Sequence, residues 1–73
     1  MLKREVKQAL EEAEFEMNLN LENNYKDQAH QDFLTYVALT KRFYDEGKIK
    51  EKDYEKLKDK FSDLAEMFEE YHH

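Results

Sequence analysis

Tyr54, Leu57, Phe61, Leu64, Phe68 and Tyr71 follow one another at spacings of 3, 4, 3, 4 and 3 residues. This is the heptad seam of a helix packed lengthwise against another helix, and few architectures accommodate it. At 73 residues the chain has room for one domain, and a core of that size supplies only marginal stability. The absence of cysteine removes disulfides, Cys-ligated zinc and thiol chemistry together. With no proline and a single glycine, Gly47, no interior residue breaks a helix, and the turn residues a β-fold needs are missing. The expected fold class is therefore all-α: a small three-helix bundle with a C-terminal antiparallel helical hairpin turning at Gly47, with dimerisation as a way to complete it.

The apolar pattern sets three helices, at about 2–22, 25–46 and 51–71. In the first, Leu2, Val6, Ala9, Leu10, Ala13, Met17 and Leu21 share one face, and Glu11, Glu12 and Glu16 lie mostly away from it. Phe15 and Leu19 fall on the opposite side, an i,i+4 pair that a helix with one buried face would leave exposed. Residues 14–22 also alternate polar and apolar in the manner of a strand, but no second strand is present to pair with it. Asn23 and Asn24 are the expected break, with Asn24 and Asp27 spaced as a capping box. The competing possibility is one continuous helix from 2 to 46, roughly 65 Å long at 1.5 Å per residue, which would require self-association.

The second helix carries Ala29, Phe33, Leu34, Tyr36, Val37, Ala38, Leu39, Phe43 and Tyr44 around more than half its circumference. One neighbour cannot cover that arc, so this helix is the centre of a bundle or the middle of an oligomer interface. Gly47 suits the left-handed position after a helix, and Ile49 is placed to pack across the turn. The stretch from Phe43 to Leu57, with Gly47, Ile49, Glu51, Asp53 and Tyr54, resembles the short helical hairpin of SHOCT-type domains. Lys50 stands where that pattern has a Thr N-cap. The resemblance implies a small interaction or oligomerisation module and no activity.

Charge narrows the function classes. A formal net charge of −6 disfavours nucleic acid as a partner, because neutralised phosphates supply most of that affinity. Lys48, Lys52, Lys56 and Lys60 recur every fourth residue, but Glu51, Glu55, Asp59 and Asp63 interleave them, which reads as a solvated face. The alternative function, a nucleic-acid-associated regulator, would use these lysines with Lys41, Arg42, Lys50 and Lys58. A second alternative is an acidic DNA-mimic inhibitor presenting Glu12, Glu16 and Glu22 as its contact face. No apolar run long enough for a signal peptide or membrane span occurs, so a cytoplasmic protein without membrane contact is expected. A lysine bias over arginine points to a bacterium or its phage, and His72 and His73 are native or a tag remnant.

No pattern carries catalysis or a cofactor. Asp27 with His30, and Glu69 with His72, have the spacing used in di-iron bundles, but inward-facing glutamates on the first helix are missing, and His30 reads as a core-edge histidine. Ser62 has no histidine near it in sequence, and a single glycine cannot form a phosphate loop. What stands out instead is five Tyr and five Phe, more ring surface than three short helices readily hide. The expectation is a non-enzymatic protein-binding module, an adaptor, regulator or inhibitor of a larger protein, without metal or cofactor. Its interface is expected at Phe15, Leu19, Phe33, Tyr36, Leu39 and Phe43, and its partner is another protein as well as a second copy in a homodimer.

Overall fold

The computed structural model describes residues 2–70, which form three α-helices: α1 (Arg4–Glu22), α2 (Lys26–Asp45) and α3 (Glu51–Glu70). The three expected helices are present: the ends at 22 and 51 coincide with the expected ones, and the start of α1 and both ends of α2 lie within one or two residues of them; Tyr71 and His72 lie outside the described residues. No helix is long and apolar enough to cross a membrane among the described residues. The principal extents of 37 × 19 × 16 Å match helices of about 30 Å laid side by side.

The starts of α1 and α2 are held by charge rather than by side-chain caps. Lys3 and Tyr25 occupy the N-cap positions of α1 and α2 without a capping side-chain hydrogen bond. Acids in the first turns, Glu5, Asp27, Glu51 and Asp53, oppose the positive end of each helix dipole instead. The capping box expected at Asn24 does not form, because Asn24 works on the preceding helix.

Both helix ends that turn the chain use the same device. Asn24 is left-handed at φ 66°, its N–H donates to the Leu21 carbonyl, and the Tyr25 N–H donates to the Asn20 carbonyl at 2.8 Å. Gly47 is left-handed at φ 75°, its N–H donates to Tyr44, and the Lys48 N–H donates to Phe43 at 2.9 Å. These are paired Schellman closures, which satisfy carbonyls that a helix end would otherwise leave without donors. The continuous 2–46 helix is thereby replaced by a break at Asn23 and Asn24. Ile49 is buried just beyond the second turn, as its placement implied.

α2 is the central helix. Val6, Leu10 and Met17 of α1, Ala29, Phe33 and Tyr36 of α2, and Phe61 and Phe68 of α3 form one buried cluster with Ile49. Each large apolar side chain removed from water contributes about 1.5–3 kcal/mol against the entropy of ordering the chain. The rings interlock across α2 and α3: Phe61 meets Tyr36 edge-on at 4.8 Å and Phe33 at 6.1 Å, and Phe68 stacks on Phe33 at 5.3 Å. Near the turn, Tyr44 and Tyr54 stack at 4.0 Å. Thr40 is the buried polar side chain among the described residues, and its hydroxyl donates to the Tyr36 carbonyl at 2.9 Å.

A candidate protein-binding face on the first helix

Five successive inward positions of α1 dictate its outward ones. With Val6, Leu10, Ala13, Met17 and Leu21 turned to the core, a period of 3.6 residues sends Phe15 to the far side and Leu19 next to it. Phe15 is 64% exposed and Leu19 40%. Glu11 and Glu12 stand four and three residues before Phe15, Glu16 stands three before Leu19, and Glu22 three after it. On a helix those offsets are side-by-side neighbours, so the apolar pair is ringed by carboxylates. All four acids are exposed, and no ion pair among the described residues engages them. No basic residue occurs between Lys7 and Lys26, so the ring is of one sign.

The structure divides the six residues expected at an interface. Phe15 and Leu19 are on the surface. Phe33 and Tyr36 are not: they are buried between α2 and its neighbours, Tyr36 at 2% exposure. The apolar arc of α2 is too broad for one neighbour, which suggests an interface there, but α1 and α3 cover it from both flanks. Leu39 and Phe43 are half-buried, and Lys48 sits over the Phe43 ring at 5.7 Å. Two exposed apolar residues were not anticipated at the surface, Tyr25 and Leu34. Tyr25 could have been found, since it directly follows the Asn-Asn break and begins a helix with nothing before it to pack upon.

Glu14 differs from its acidic neighbours. It pairs with Lys60 of α3, whose ammonium lies 5.9 Å from the centre of the Tyr36 ring. Burial, and then the Glu14 charge, raise the Tyr36 hydroxyl above its ordinary 10.0. Burial alone would lower Lys60, but its hydrogen bond to Glu14 and the adjoining charges outweigh this and raise it. This network ties α1 to α3 across α2. Nothing in the sequence signals a contact between residues 14 and 60. A second polar tie, from the Asn20 amide to the Asp32 carboxylate at 2.6 Å, joins α1 to α2.

The remaining polar groups are arranged as surface. Four of the hairpin cations stand against carboxylates: Lys41 with Asp45, Arg42 and Lys48 with Glu46, and Lys58 with Glu55. Hydrogen bonds from Lys48 and Arg42 lower the Glu46 carboxyl below the ordinary range. His30 stacks on Phe68 at 5.2 Å, at the edge of the core, and no group of three or more His, Asp or Glu side chains among the described residues is gathered for a metal. Surface hollows beside Arg4, Lys7, Gln8 and Glu11, and beside Asn24–Gln28, are wide open to solvent. Compared with protein-family models, with curated proteins and with solved structures, the chain matches none of them.

Proposed function

We propose that this chain is a small non-enzymatic protein-binding module, an adaptor, regulator or inhibitor of a larger protein, that acts through the outer face of α1. The observation that carries the reading is the exposed pair Phe15 and Leu19, on the side of the helix turned away from the core. Removing such a pair from water stabilises a complex, and a polar ring around it is the usual anatomy of an interface. A cytoplasmic setting suits a chain without cysteine. The homodimer expected from surplus apolar surface has less to draw on than the sequence implied, since Phe33 and Tyr36 serve the bundle. The nucleic-acid alternative is weakened as well, because Lys41, Arg42, Lys48 and Lys58 already face carboxylates.

The test is absolute mass in solution by light scattering, at several concentrations and two salt levels, on the wild-type chain and on Phe15→Ala. The expected result is a folded variant of unchanged thermal stability, and a wild-type mass that stays that of one chain, leaving the α1 face open for another protein. A mass that doubles with concentration and reverts in Phe15→Ala still assigns the face to protein binding, with a second copy as occupant. Loss of folding in Phe15→Ala would assign Phe15 to the core and remove the face.

A further inference from the structure

Resting on the reading of the α1 outer face as a protein-binding surface, we infer that its partner is a basic amphipathic helix, with two apolar residues one turn apart set between lysines or arginines. The apolar part of the face is short. Phe15 and Leu19 are four residues apart, about 6 Å along the axis, which is one turn of a partner helix and too little for a broad flat contact. Around that turn stand Glu11, Glu12, Glu16 and Glu22, all exposed and none ion-paired among the described residues. Charge therefore selects among occupants. A second copy docking this face on itself would bring two carboxylate rings together, and like charges across an interface cost affinity. An anionic lipid surface or a nucleic acid is repelled for the same reason. A cationic helix gains twice: its apolar pair covers Phe15 and Leu19, and its charges meet carboxylates that no cation among the described residues engages. The Glu14–Lys60 pair helps by fixing α1 against α3, so the face is presented on a held helix.

The experiment uses the full chain and three end-labelled synthetic helical peptides of equal length, read by fluorescence anisotropy. One carries a leucine pair flanked by lysines, the second replaces the lysines by glutamates, and the third keeps the lysines and replaces the leucines by serines. The first should bind about tenfold or more tightly than either control, and more weakly as salt rises. Phe15→Ala should weaken it about tenfold, as expected for loss of an apolar anchor. Glu12→Gln with Glu16→Gln should weaken it by about three- to tenfold, while Asp59→Gln with Glu66→Gln, which changes the net charge equally on the outside of α3, should not.

Equal binding of the glutamate peptide would overturn the basic partner and leave the binding face standing. Equal weakening by the two double variants would overturn it as well, reducing the effect to general attraction. A chain that dimerises through Phe15 in the absence of peptide would make the second copy the occupant. If Phe15→Ala stays folded and changes the binding of no peptide, the face itself fails, and this inference falls with it.

Discussion

Along one flank of α2 the backbone of α1 lies close, with Ala13 and the fully buried Ala29 among the packed residues, while along the other α3 stands further off across a layer of rings. Small side chains let two helices approach; rings hold them apart and fill the space between. The two flanks consequently distribute their stabilisation differently. On the α1 side it is spread over many aliphatic contacts and the Asn20–Asp32 tie. On the α3 side it is concentrated in Phe33, Tyr36, Phe61 and Phe68, with Tyr44 on Tyr54 near the turn. Aromatic pairs in such edge-on and stacked geometries add about 0.5–1.5 kcal/mol each to the area they bury. The lesson is that α3, held by few but large contacts, is the helix whose attachment a single substitution can undo.

The sharpest way to break this comparison is Phe61→Ala, which deletes a ring that touches both Phe33 and Tyr36. It should cost about 3–5 kcal/mol in urea denaturation, and α3 amides should then exchange with solvent before those of α1. Met17→Ala on the other flank should cost about 2–5 kcal/mol without singling out α3. If Met17→Ala proved the costlier and exposed α3 first, the assignment of the two flanks would be reversed.

The turns offer a finer comparison. Gly47→Ala adds a Cβ that meets open space, so the penalty is that of φ 75° alone, about 1–2 kcal/mol in thermal unfolding. Gly47→Asn should cost less, since Asn24 already sits in the same conformation. A larger loss for Asn than for Ala would mean that the second turn tolerates less than the first.

The link between α1 and α3 is open to titration. Tyr36 and Lys60 are both raised on folding, so both favour their protonated forms in the native state. Their contribution is fully present below about pH 10, near the values of the unfolded chain, and is lost as pH rises through the raised native values. Unfolding temperature should fall over that alkaline window, and Tyr36→Phe should flatten the fall. An alkaline limb unchanged in Tyr36→Phe would place the titration elsewhere. The smallest effect is expected at the outer face of α1, where Phe15→Ala should alter stability by no more than about 0.5 kcal/mol.

Much of the architecture is legible because it is local. The periodicity of α1 located its buried face and expelled Phe15 and Leu19; the spacing from Tyr54 to Phe68 located the seam of α3; Gly47 marked the turn, because a left-handed residue is needed there. Asn24 is legible as a break, but an asparagine suits a cap at either end, and only the hydrogen bonds from Asn24 and Tyr25 show which end it closes. Whether Phe33 and Tyr36 face a partner or the bundle could not be read from α2, because periodicity fixes which residues share a face and not what covers that face.

By itself, then, the sequence determined the three helices, the inward and outward residues of α1, and the acidic ring around Phe15, all of which follow from backbone preference and helical period acting over a few neighbours. Only the tertiary structure decided that α1 and α3 cover α2 from both flanks, that Lys60 is spent on Glu14 and Tyr36, and that the α1 face is left open. Those outcomes depend on how far apart rings and small side chains hold the helices, and therefore on contacts between residues distant in the chain.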